Sequence, residues 1–212
     1  MTSELADAPA VDDVELVDAP VRTHGPVPWL LLGGGLIGLV AACVLLFEKI
    51  KLLENPSYVP SCNFNPVLSC GTIMRTDQAS VFGFPNPMLG LVGFAMVVAT
   101  GAALLAGARF ARWYWLGMQA GVLFGIGFVA WLAFQSLYRI GALCPYCMVV
   151  WAVVLPIFWW VTARNAEAGV LGLPRGLAEA VADYRWLLLI GSYALIVVPA
   201  FFRFSDYWLT LV

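Results

Sequence analysis

Charge is what this chain has least of. Asp, Glu, Lys and Arg make up 11% of its 212 residues, and its one histidine, His24, stands in an acidic N-terminal stretch. A soluble domain carries about 25% charged residues, so a water-soluble fold is excluded. One remote histidine leaves the cysteines without the nitrogen ligand that many zinc sites use, and cysteine spacings of the zinc type are sparse; no metal site is expected. With Lys+Arg at 11 against Asp+Glu at 13 there is no basic surplus, and hence no reason to expect a nucleic-acid partner.

What is present is apolar. Hydrophobic residues reach 62% and mean hydropathy is +0.87. Five stretches approach the length needed to cross a hydrocarbon core of about 30 Å: Pro28–Phe47, Pro87–Gly107, Trp113–Leu137, Gly141–Ala163 and Trp186–Phe204. Arg203 is the one charged residue inside them. Lipid offers the backbone no hydrogen bonds, so each stretch must be helical. The expected fold is an all-α, multi-pass integral membrane protein.

Residues 1–27 form a different segment. Glu4, Asp7, Asp12, Asp13, Glu15 and Asp18 alternate with Ala, Val and Pro, the composition of a disordered acidic tail. No positive n-region marks a signal peptide, so the first helix is expected to remain as an anchor. With the N-terminus in the cytoplasm, six basic residues lie inside (Arg22, Arg109, Arg112, Arg164, Arg175, Arg185) and five outside. That orientation follows the positive-inside tendency. It puts residues 164–185 in the cytoplasm and residues 48–86, a partly helical cap loop, at the periplasm or cell exterior.

Four of the five cysteines form two pairs on one side of the membrane. Cys62 and Cys70 bracket a turn-rich Asn63-Phe64-Asn65-Pro66 in the long loop, where a pair exposed to solvent is expected. Cys144-Pro-Tyr-Cys147 opens the fourth segment. Three residues apart on a helix, two cysteines share a face, and Pro145 suits the first helical turn. Cys144 then becomes the N-cap, near the positive end of the helix dipole, which favours a thiolate. Either pair could instead be a static disulfide, and a membrane scaffold or transporter with two such staples is the rival reading. Against a transporter, the spans hold only scattered polar groups such as Gln119 and Gln135. Cys43, among Ala, Val and Leu of the first segment, is expected to be a small buried hydrophobe. Phe124, Phe128, Trp131, Phe134 and Trp151 could flank a flat ring or simply face lipid.

The cysteine order, Cys62-x₇-Cys70 before Cys144-Pro-Tyr-Cys147, together with Phe82-Gly83-Phe84-Pro85 before the second span, resembles the vitamin K epoxide reductase family, particularly its quinone-reducing bacterial members. The likeness runs from about Pro28 to Ala163. It implies a four-helix bundle around a quinone site, with the fifth helix (186–212 with the C-terminus) outside it. By the resemblance, Cys147 faces a membrane quinone (menaquinone or ubiquinone) and Cys144 exchanges with Cys70. Cys62 would then meet a separate extracytoplasmic thioredoxin-fold thiol oxidase, since no such domain follows the fifth helix. Thr76 stands where the family often has a loop-supporting serine, and Asn86 is the candidate for its quinone-binding asparagine. Trp151 replaces a quinone-binding tyrosine; an indole N–H donates a hydrogen bond but cannot accept one.

Overall fold

The computed structural model describes residues 25–205. Most of the acidic tail (1–24) and the end of the chain after 205 lie outside the described residues. The described chain forms seven α-helices: α1 (Val27–Glu54), α2 (Cys70–Met74), α3 (Pro87–Leu105), α4 (Arg112–Phe134), α5 (Pro145–Glu167), α6 (Arg175–Asp183) and α7 (Arg185–Arg203). A π-helical turn, Gln135–Ile140, extends α4, and a 3₁₀ turn spans Asp77–Ser80. Five of these helices, α1, α3, extended α4, α5 and α7, are long and apolar enough to cross a membrane. The protein is an all-α, multi-pass membrane protein.

Boundaries move by four residues or more at the end of the first span and at both ends of the fourth, which closes at Glu167 rather than Ala163. The first helix does not stop at Phe47 but runs on to Glu54. Residues 48–54 contain good helix formers and no Gly or Pro. They also keep one face, Glu48, Lys49 and Leu52, buried in line with Leu45. At about 1.5 Å per residue, its 28 residues reach about 42 Å, some two turns more than the hydrocarbon needs. The fourth span begins at Pro145 rather than Gly141, because Gly141 adopts a left-handed φ of 72° that ends the preceding π turn.

The bundle is tight where glycine permits. A Cβ on Gly101 of α3 would lie 2.5 Å from the backbone nitrogen of Leu32 on α1, so only glycine allows that approach. The fifth span joins through a vacancy in α5. Pro156 has no N–H to offer the carbonyl of Ala152, and the Tyr193 hydroxyl of α7 donates to that carbonyl at 2.6 Å. Trp159 adds an N–H bond to Ser192 at 3.0 Å.

The end of the bundle away from the cysteines holds a polar seam. Gln119 of α4 donates to Thr162 of α5 at 3.0 Å and accepts from Asn165 at 3.0 Å. The Arg164 guanidinium lies over the Trp115 ring, 3.5 Å from its centroid. Gln119, expected to be a scattered polar group, is thus part of a helix-to-helix network. Cys43 is exposed on the outer, lipid-facing side of α1 rather than buried.

Candidate redox site

The cap is ordered by its own polar side chains. Asn65 accepts from Val67 N–H at 3.0 Å and Leu68 N–H at 2.7 Å, closing the turn that Pro66 begins. Asn63 accepts from Gly71 N–H at 2.8 Å and from the Ser69 hydroxyl at 3.3 Å. Ser69 caps α2, accepting from Thr72 N–H at 3.3 Å. Cys70 is therefore the first residue of a capped helix.

Backbone pairing then brings the loop to the fourth span. Beyond Gly141 the chain is briefly extended, and Leu68 bridges Leu143 in parallel. Leu143 donates to Val67 O at 2.7 Å, and Ser69 donates to Leu143 O at 2.9 Å. The residues that follow Ser69 and Leu143 are Cys70 and Cys144, and their two sulfurs are 3.1 Å apart. Cys70 is also joined to Cys62 by a disulfide. Three sulfurs thus lie in series, with Cys147 one helical turn beyond.

Cys144 is the N-cap of α5, and Cys147 N–H donates to its sulfur at 3.4 Å. Just outside the span, its thiol is held below the ordinary value, first by the hydrogen bond from the Cys147 side chain. Burial opposes this, and the N–H groups of Cys147 and Tyr146 assist it. A lowered thiol keeps more thiolate, the form that attacks a disulfide.

The loop pair is not exposed, contrary to the expectation. Cys62 is 1% and Cys70 0% accessible. They pack with Leu45 and Leu52 of α1, Met74 and Cys144, because the long α1 gives the cap an apolar wall to fold against.

A cavity, open on one side, runs from this point into the bundle. Cys70, Cys144, Cys147, Asn86, Trp151 and Phe128 all line it. The sequence-derived cysteines (Cys62 aside), Asn86 and Trp151 therefore meet in one space. Asn86 is largely committed to the cap, donating to Gln78 O at 2.7 Å and accepting from Val81 N–H at 3.2 Å. One amide N–H is left over. Thr76 lies outside the cavity lining; its hydroxyl donates to Ile73 O at 2.7 Å, closing the end of α2. Of the other aromatics, Phe128 stacks between Phe124 and Trp131, while Phe124 and Phe134 are exposed on the outside.

Sequence reading passed over Glu48 and Lys49. Glu48 accepts from the Ser61 hydroxyl at 2.6 Å, beside Cys62. Lys49 donates to Met74 O at the end of the Cys70 helix and lines the cavity. Their signal was helical period: Leu45, Lys49 and Leu52 fall on one face of a helix that continues.

Among the described residues no cluster could hold a metal ion. A membrane bundle with cysteine pairs in sulfur contact, one of them opening onto an apolar cavity, is arranged as a membrane redox protein would be. The vitamin K epoxide reductase family matches it over residues 29–162, well over half its length, and the chain belongs to that family of membrane oxidoreductases. No curated protein matches it.

Proposed function

We propose that the protein reoxidises a separate extracytoplasmic thioredoxin-fold thiol protein and passes the electrons through its two cysteine pairs to a membrane quinone. The observation that carries this reading is the 3.1 Å contact between Cys144 Sγ and the disulfide-bonded Cys70 Sγ. Two static staples would gain nothing from such a contact, whereas exchange needs it.

In this reading the partner's thiolate attacks Cys62 and ends as a disulfide, leaving Cys62 and Cys70 reduced. Cys70 then exchanges with the oxidised Cys144–Cys147 pair through a transient Cys70–Cys144 bond, which restores Cys62–Cys70 and leaves the CPYC pair as thiols. A quinone supplies the terminal two-electron, two-proton acceptor. Cys147 is the cysteine turned to it, since Cys144 is occupied with Cys70. The cavity suits a flat apolar ring: Phe128 and Trp151 line it, and the Trp151 indole and the remaining Asn86 N–H are donors for ring oxygens. The cysteine end faces the periplasm or cell exterior, where disulfides persist, with the N-terminus cytoplasmic.

The test is quinone reduction by detergent-purified protein, driven by a reduced thioredoxin-fold donor. Wild type is compared with Cys62→Ala and Cys147→Ala. Loss of turnover in both, with the fold retained, supports the relay. A wild type that reduces no quinone and whose cysteines resist reduction would instead make the pairs structural.

A further inference from the structure

We infer that Lys49 supplies the positive charge of the cavity and steadies negative charge on the oxygen of a bound quinone. The inference rests on the quinone reading above and adds a residue to it. Of the residues lining the cavity, Lys49 alone is charged. It is 8% accessible, and no carboxylate pairs with it among the described residues. A buried, uncompensated cation beside the hydrocarbon is costly, and such residues usually mark a functional site.

A structural role explains part of what Lys49 does. Its Nζ bonds the carbonyl of Met74, the last residue of α2, where an otherwise unbonded carbonyl needs a donor. That need would be met by any neutral donor, and it uses one of three N–H groups. Neither the charge nor the other two donors are accounted for. The reaction accounts for both. As Cys144 and Cys147 give up two electrons and two protons and close their disulfide, the quinone takes the same electrons and protons and becomes a quinol. Electrons reach it before its oxygens are fully protonated, and a fixed cation in an apolar cavity offsets that charge without reorganising.

The test uses binding as well as turnover. Two probes are titrated into the full-length protein in detergent: a hydroxynaphthoquinone that is an anion at neutral pH, and uncharged menadione. Wild type and Lys49→Arg should favour the anion by roughly tenfold, and Lys49→Met should lose that preference. Exchange between the two cysteine pairs, followed without quinone, should proceed in wild type and Lys49→Arg, and in Lys49→Met, which loses the tie to Met74 O, it should slow far less than quinone reduction does. Menadione reduction by Lys49→Met should fall by about a hundredfold, the loss typical of removing one such donor. Retention of the anion preference by Lys49→Met overturns the inference. So does parallel loss of exchange and of both probes, which would reduce Lys49 to a tie on α2. Should Lys49→Met fail to fold, wild type decides, and absence of an anion preference there overturns it. A wild type that reduces no quinone at all fails the relay itself, a result distinct from these.

Discussion

Replacing Cys147 by serine should leave a measurable fraction of the protein with Cys70 joined to Cys144. Cys144 then lacks its partner, while its sulfur stands 3.1 Å from Cys70 Sγ. A disulfide is about 2.05 Å long, so the new bond needs about 1 Å of closure, within the play of two side chains. One disulfide replaces another, so the balance depends on how the two arrangements pack and on how well Cys62 and Cys144 are each held as thiolates. If they differ by less than about 1.4 kcal/mol, at least about a tenth of the molecules carry the Cys70–Cys144 bond. The assay is an acid quench, alkylation of free thiols and peptide mapping without reduction. The expected products are a peptide pair crosslinked through Cys70 and Cys144 and an alkylated Cys62, absent when Cys144 is serine as well. Less than about one per cent crosslink would mean a bias above about 2.7 kcal/mol. With Cys62–Cys70 intact and Cys144 fully alkylated, that result would refute the exchange argument.

Asn63→Ala removes the acceptor of Gly71 N–H and of the Ser69 hydroxyl; it should cost about 1–3 kcal/mol and slow exchange through Cys70, read by thermal unfolding and quenched thiol labelling. Ser61→Ala leaves the buried Glu48 without its 2.6 Å partner and should destabilise by about 1.5–3 kcal/mol, seen as a lower Tm in detergent. Gly101→Val would drive a side chain into the α1 backbone at Leu32 and should cost about 1–3 kcal/mol or more. Gly117→Ala, with open space at its Cβ, should be neutral or stabilising by up to about 1 kcal/mol, and the two Tm values measured side by side check the packing argument.

The spans, the shared side of the cysteine pairs and the N-cap position of Cys144 were legible in the sequence, because hydropathy, loop parity and a proline after the cysteine each act locally. Burial of Cys62 was not. It depends on α1 outrunning the hydrocarbon, and Glu48 and Lys49 read as the start of the cap loop when they lie inside a helix that runs to Glu54. The contact between Cys70 and Cys144 was foreseeable only through resemblance. It arises from a one-residue bridge, Leu68 to Leu143, between segments too short and irregular to announce their register. Asn86 and Trp151 could be named, but that Asn86 spends most of its amide on the cap followed from how the loop turns back on itself.

Glu48 and Lys49 are neighbours, yet one holds the limb of the cap that carries Cys62 and the other the limb that carries Cys70. The cap is thereby geared to α1. Successive residues on a helix are turned by about 100°, so inserting one residue upstream of Glu48 would swing both limbs together and carry the disulfide off Cys144. The length of the helix before Glu48 could not change by one residue without disengaging the sulfurs.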